Sequence, residues 1–187
     1  MSRVLSFAAA AMMLLSSAAV AEDVKSGLKE GDRIGAFNVV KCAGAEDDKV
    51  AVGKELCYRC KNGSRPQVMV FTRSTDAKLQ KLVQGLDKAI AKHEDAQLRA
   101  FVNVLGDSSD AAEDEAKKLA KSSKAENIPF VVPNEFENGP ENYGINPKAE
   151  LTIIFANDSK VVANYAVGSV KDLKLKDVMG HLKKIIN

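Results

Sequence analysis

Apolar positions recurring at strand and helix spacing predict regular elements from residue 67 onward. The apolar run at residues 68–71 predicts a strand buried on both faces. It leads into a helix over 76–92, which Thr75 or Asp76 can cap. The apolar positions of this helix recur every three or four residues, at Leu79, Leu82, Val83, Leu86 and Ile90. The same periodicity predicts three further elements: a strand over 98–105, a helix over 110–121 and a strand over 128–132.

The C-terminal part of the pattern predicts a hairpin and a last helix. Residues 151–155 and 160–165 read as its two strands, joined by a turn at Asn157 and Asp158. The final helix is predicted over 170–186, and residues 134–150 form a long polar loop. This order of elements predicts an α/β fold with a mixed central sheet and helices on both of its faces.

The N-terminal third shows weaker patterning. Residues 34–40 predict a first short strand, and residues 42–56 predict a loop or weak hairpin. The acidic run from Glu46 to Asp48 is expected to be solvated. We therefore expect one domain over 22–187, with an irregular segment at 22–66 and a core at 67–187.

Residues 1–21 have the pattern of a signal peptide. Arg3 precedes an apolar run, and Ala19, Val20 and Ala21 form a small-x-small cleavage site. An uncleaved anchor is the alternative, although a spanning helix needs about 20 apolar residues and serines interrupt this run. We expect an exported protein, periplasmic or extracellular, with no membrane span after cleavage.

Composition limits the class of partner. The chain has 27 Lys and Arg against 25 Asp and Glu, with the signs mixed along its length and no tryptophan. This pattern argues against a nucleic-acid partner and leaves another exported protein as the open possibility. No cofactor is expected: a phosphate loop is absent, and Lys61 stands where covalent c-type haem needs a histidine.

The candidate chemistry lies in three cysteines, Cys42, Cys57 and Cys60. Export implies a compartment where disulfides persist, and an odd number leaves at least one sulfur unpaired within the monomer. Cys57 and Cys60 form a Cys-x-x-Cys pair in front of the first core strand. The turn after that strand, where an open α/β sheet binds its ligands, lies roughly 20 Å away at 3.3 Å per residue.

Three interpretations of the cysteines remain open, with the disulfide pairing unknown. The pair could perform thiol–disulfide exchange, with nearby cations stabilising the thiolate. Cys57 would then attack, as the first and usually more exposed cysteine, and Cys60 would resolve the mixed disulfide. A structural bridge from Cys42 to Cys57 or Cys60 would instead close a loop of about 15 to 18 residues, worth roughly 3 kcal/mol.

The third interpretation is a zinc or copper site. Cys42, Cys57 and Cys60 would supply three thiolates. A closed tetrahedral site needs a fourth ligand, for which His93 and His181 are the candidates, although a solvated histidine is the simpler reading of both.

The whole layout resembles the thioredoxin fold, and more closely its peroxiredoxin-like branch. The segments that carry the resemblance are 31–37, 68–71, 101–104, 151–155 and 160–162. The stretch from Cys57 to Phe71 is also similar to a group of exported bacterial thioredoxin-like proteins without a firmly assigned activity.

The chain departs from that family at two positions. The family's catalytic cysteine follows the first core strand, where this chain has residues 73–76 and no cysteine. The family's cis-proline precedes the hairpin, where this chain has Glu150 and Leu151. The resemblance therefore implies a thioredoxin-like fold without peroxidase activity, and we expect an exported protein whose cysteines are structural or modestly redox-active. If the protein is an enzyme, we expect a thiol–disulfide oxidoreductase using Cys57 and Cys60.

Overall fold

A computed structural model of the chain describes residues 24–186, so the predicted signal peptide lies outside the described residues. The strands are β1 Val39–Ala43, β2 Glu55–Leu56, β3 Gln67–Thr72, β4 Arg99–Val104, β5 Phe130–Pro133, β6 Leu151–Asn157 and β7 Lys160–Val167. The helices are α1 Tyr58–Asn62, α2 Ala77–Lys92, α3 Ser109–Ser123 and α4 Leu175–Gly180. The strands form one sheet in the order β2-β1-β5-β4-β3-β6-β7.

The strand directions confirm the predicted mixed α/β sheet. β3 pairs in parallel with β4, and β4 pairs in parallel with β5. β6 runs antiparallel to both β3 and β7, as the hairpin prediction requires. All six residues of β3 are buried, because this strand has neighbours on both edges and packed side chains on both faces.

Helices cover both faces of the sheet, but unequally. The connections through α2 and α3 both step in the same direction, from β3 to β4 and from β4 to β5. Right-handed crossovers therefore place both helices on the same face, and α4 packs in the same core. The other face is covered by α1, the 3-10 turn Glu141–Tyr143 and the segment before β1.

The caps of the two long helices follow local chemistry. Asp76 precedes α2 and accepts a hydrogen bond from the Lys78 N–H at 2.8 Å. Ser108 precedes α3 and accepts from the Ala111 N–H at 3.2 Å. Both side chains satisfy backbone donors that an unpaired helix start would leave free.

The predicted first strand at 34–40 is wrong in its position. The strand is β1 Val39–Ala43, which pairs with β2 and, in antiparallel register, with β5. Ile34 and Phe37 are buried without belonging to a strand, and they cover the face that carries α1. Their apolar character therefore reflects packing on top of the sheet.

The predicted final helix over 170–186 is also wrong as one element. It is divided into the 3-10 turn Val170–Asp172, α4 and the 3-10 turn His181–Lys184. Leu173 interrupts it with extended backbone (φ −55°, ψ 120°) and is buried. The next amide, Lys174 N–H, donates to the Tyr165 hydroxyl at 3.0 Å, so the break is stabilised by a tertiary hydrogen bond.

Across residues 24–186, no helix combines the length and the apolar character that crossing a bilayer requires.

Candidate functional site

The Cys57–Cys60 pair forms a disulfide at the start of α1, with 5.2 Å between the two Cα atoms. Cys57 is the N-cap, and its Sγ accepts a hydrogen bond from the Cys60 N–H at 3.1 Å. Gly63 ends the helix after five residues, with φ at +64°, a conformation that glycine adopts without steric penalty. The sequence predicted only a turn-rich approach here, since five residues are too few to show helical periodicity.

The exposure of the two cysteines differs from the expectation. Cys60 is exposed and Cys57 is half-buried, so the expected greater exposure of Cys57 is wrong. The capping contact nevertheless distinguishes Cys57 chemically. A thiolate formed there would face a backbone N–H donor, which favours the charged form.

The pair lies at the end of the sheet opposite the turn that follows β3. After α1, Pro66 accepts a hydrogen bond from the Arg99 N–H at the start of β4, and Ser64 accepts from Asp158 in the β6–β7 turn. Residues 73–76 instead follow the last residue of β3. The order of the motif and strand in the sequence thus correctly predicts this separation.

Residues 73–76 bond mainly among themselves and their neighbours. The Thr72 hydroxyl donates to Ser74 O at 3.0 Å, and the Ser74 hydroxyl accepts from the Asp76 N–H at 3.2 Å. Arg73 is half-buried, and burial lowers the pKa of its guanidinium against the opposing effects of Asp107 and Glu137. These hydrogen bonds give the hydroxyl groups of this turn a capping role.

A buried polar network connects α1, through Tyr58, to the β1–β2 loop. Lys41 is 1% exposed, and its Nζ donates to Asp48 Oδ1 at 2.8 Å, to Ala45 O at 2.9 Å and to Val50 O at 2.8 Å. Asp48 Oδ2 accepts from the Tyr58 hydroxyl. Burial, followed by the hydrogen bond to Asp48, raises the pKa of Tyr58, so its phenol stays neutral.

Sequence reasoning missed this network. Glu46 and Asp47 are exposed as expected, but the expectation of a solvated run is wrong for Asp48, whose carboxylate pairs with buried Lys41. One signal was present: Lys41 interrupts the otherwise apolar stretch Val39, Val40 and Cys42. A charged residue in such a stretch is buried only when it has a partner.

Cys42 lies in the core on the α3 face of the sheet, whereas Tyr58 packs α1 onto the other face. The Cys42 Sγ donates a hydrogen bond to Val40 O at 3.4 Å, and Cys42 is a free thiol. Burial, reinforced by Glu113, raises the pKa of the Cys42 thiol to about 11. The bridge considered between Cys42 and Cys57 or Cys60 is therefore not formed in this structure.

The residues considered as metal ligands do not converge. Cys42 and the disulfide occupy different faces of the sheet, and the His181 ring packs 5.4 Å from Phe155. His93 follows the end of α2. Among residues 24–186, no three His, Cys, Asp or Glu side chains lie close enough to share a metal ion.

A cleft of about 460 Å³ opens beside α1, and we call it the α1 cleft. It lies between the loop from β1 to β2, the α1 helix and the starts of β4 and β5. The α1 residues that line it are Tyr58, Lys61 and Asn62. This cleft thus adjoins the helix that carries the disulfide.

Comparisons with solved structures show which fold this is. A thiol:disulfide interchange protein from Bacteroides sp. superposes with a TM-score of 0.59 at 17% identity, over 86% of this chain and 91% of the other. A Chlorobium tepidum protein, provisionally assigned as thiol:disulfide interchange protein DsbE, gives 0.61 at 13% identity over 86% and 99%. The yeast mitochondrial 1-Cys peroxiredoxin gives 0.54 at 10% identity over 81% and 73%.

These similarities confirm the thioredoxin-like fold, including its likeness to peroxiredoxins. No protein-family model matches the chain, and no curated protein sequence matches it. The chain therefore has a thioredoxin-like fold, in which a Cys-x-x-Cys disulfide precedes the first parallel strand.

Proposed function

We propose that this protein is an exported thiol–disulfide oxidoreductase whose exchange centre is the Cys57–Cys60 pair. The observation that carries the proposal is the hydrogen bond from Cys60 N–H to Cys57 Sγ at a helix start. A donor in this position stabilises a thiolate, which is the nucleophile and the leaving group in disulfide exchange.

The exchange reaction needs a client protein with two thiols, which supplies the two electrons that reduce the Cys57–Cys60 bond. A client thiolate attacks Cys57 Sγ, the Cys57–Cys60 bond breaks, and Cys60 leaves as a thiolate that takes up a proton. A second client thiolate then attacks the client sulfur of the mixed disulfide. The client gains a disulfide while Cys57 and Cys60 become two thiols, and the reverse sequence reduces a client disulfide.

The position of the Cys57–Cys60 disulfide supports an exchange role better than a purely structural role. The disulfide joins residues separated by three positions within one turn. Cross-linking a loop of about four residues contributes only about 2 kcal/mol by the chain-entropy argument. It ties no distant part of the N-terminal segment to the sheet, whereas the partial exposure of the pair makes it accessible to a client.

Export is part of the same proposal. The signal-peptide pattern of residues 1–21 supports it, and a working disulfide fits an oxidising compartment. Two of the structurally similar proteins are described as thiol:disulfide interchange proteins.

Redox titration tests the proposal. The native protein is equilibrated in glutathione and dithiothreitol buffers of defined potential, trapped with an alkylating reagent and weighed by mass spectrometry. We expect two reversible thiols per chain, with a midpoint in the range of about −120 to −270 mV spanned by exchange proteins. A midpoint potential below about −300 mV would indicate a structural disulfide and overturn the proposal.

Trapping variants test the assigned roles. Cys60→Ser should accumulate a mixed disulfide with a client, because Cys57 remains able to attack and nothing resolves the product. Cys57→Ser is the matched control and should accumulate much less. Equal trapping by the two variants would contradict the assignment of Cys57 as the attacking thiol.

A further inference from the structure

We infer that the α1 cleft receives an acidic segment of the client protein, next to the cysteine that reacts. This inference rests on the proposed function and adds a substrate class to it. The observation behind it is an excess of unpaired cations in a cleft that adjoins the helix carrying the disulfide.

The first step concerns position. Lys61 and Cys57 are one helical turn apart, since the Lys61 N–H donates to Cys57 O at 2.9 Å. Residues four apart lie on the same side of a helix. Lys61 lines the α1 cleft, so a peptide whose sulfur reaches Cys57 can continue along this side of α1 into the cleft.

The second step concerns charge. Four cationic side chains line the α1 cleft, and none of them forms an ion pair within residues 24–186. They are Lys49, Lys61, Arg65 and Arg99. The cleft also has three carboxylates, but that of Asp48 is already paired with Lys41. Asp47 and Glu126 remain, so four cations face two uncompensated carboxylates.

The third step concerns the shape of the ligand. Lys61 and Arg65 come from α1 and the turn after it, whereas Arg99 is the first residue of β4. The cations are thus distributed along the cleft. Guanidinium groups bind carboxylates in a two-pronged geometry, so an extended segment with two or more Asp or Glu side chains matches them. Four extended residues span about 13 Å.

The experiment compares three synthetic peptides with the oxidised full-length mature protein. Each has one cysteine followed within four residues by two Glu, two Gln or two Lys side chains. The rate of Cys57–Cys60 reduction is measured by quenching and alkylation. It is divided by the same peptide's rate with a small neutral disulfide, which removes differences in intrinsic thiol reactivity.

At low ionic strength, we expect the acidic peptide to react about ten times faster than the Gln peptide and the Lys peptide to react most slowly. The preference should shrink in 0.5 M salt, because exposed charges are screened. The double variant Arg65→Glu/Arg99→Glu should lose or invert the preference. The matched control is Lys176→Glu/Lys183→Glu, which makes the same charge change at exposed positions in α4 and the turn after it and should retain it.

Three outcomes would overturn the inference. One is equal normalised rates for the three peptides, and another is an equal loss of preference in the control variant. The third is a small anionic thiol, glutathione, reacting as fast as the acidic peptide with the same dependence on Arg65 and Arg99. The redox titration distinguishes the two proposals, since a midpoint within about −120 to −270 mV alongside any of these results leaves the exchange function standing.

Discussion

The Tyr58 hydroxyl donates a hydrogen bond to Asp48 Oδ2 at 2.5 Å. Tyr58 stands between the two bonded cysteines, and its ring stacks on Phe101 with 5.8 Å between centroids. One side chain therefore anchors α1 to both an apolar sheet face and a buried ion pair. The position of the disulfide depends on this anchor, because α1 itself has only five residues.

Replacing Tyr58 by Phe should lower the free energy of unfolding by about 2 kcal/mol, as a hydrogen bond to a charged acceptor is lost. Urea denaturation of the oxidised protein measures the change. Tyr143→Phe is the matched control: it removes a phenolic hydrogen bond to the neutral Gly35 carbonyl, 2.8 Å long, and should cost about 1 kcal/mol. A larger loss in the control would contradict the charged-acceptor argument.

Lys41→Met should destabilise the protein by about 4 kcal/mol, because it leaves the Asp48 carboxylate without its buried partner. Adding Asp48→Asn should recover part of this loss, so a double-mutant cycle should give a coupling free energy clearly different from zero. Lys118→Met removes an exposed lysine paired with Glu115 and should leave the urea midpoint unchanged. Additive losses for Lys41 and Asp48 would refute the coupling.

Stability should fall between pH 9 and about pH 11 through Cys42. Below this range the thiol is protonated in both states and contributes no pH dependence. Within it, the thiol ionises in the unfolded chain but stays neutral in the folded one, so unfolding is favoured by up to about 3 kcal/mol. Urea titrations at pH 8, 9 and 10 measure the free energy of unfolding of the wild type and of Cys42→Ala. Parallel pH profiles for the two proteins would contradict the prediction.

Two glycines in the β1–β2 region form a matched pair for substitution by alanine. Gly44 and Gly53 both have positive φ, at +75° and +82°. A Cβ at Gly44 would lie 2.2 Å from the Ile128 carbonyl oxygen, whereas a Cβ at Gly53 meets nothing within 4 Å. Gly53→Ala should cost about 1 kcal/mol from backbone strain alone, and Gly44→Ala about 3 kcal/mol. Equal urea midpoints would contradict this difference.

Several elements could be predicted because their signals are local. The run at β3 is apolar at enough consecutive positions to require burial on both faces. In α2, Asp76 supplies the cap, and Leu79, Leu82 and Leu86 supply the buried stripe. The position of the cysteine pair relative to β3 also followed from the order of residues along the chain.

Other features depend on partners far away in sequence. The pairing of β1 with β5 decides that the strand begins at Val39 and that Lys41 and Cys42 point to opposite faces. The hydrogen bond from Lys174 to Tyr165 supports the break that divides the last helix. Neither partner can be inferred from hydropathy, because periodicity reports which residues are buried and not what they are buried against.

The sequence alone determined the thioredoxin-like order of strands and helices and the lack of a cysteine in the turn after β3, since burial patterns and residue identities are properties of the chain itself. The tertiary structure decided that Cys57 bonds to Cys60, that Cys42 is a buried thiol and that Lys41, Asp48 and Tyr58 form one network. The physical reason is that a Cys-x-x-Cys pattern leaves the pairing among three cysteines open, and hydropathy does not identify the partner of a buried charge. Only the folded chain places Cys42 on the opposite face of the sheet from α1 and brings Asp48 within hydrogen-bond distance of both Lys41 and Tyr58.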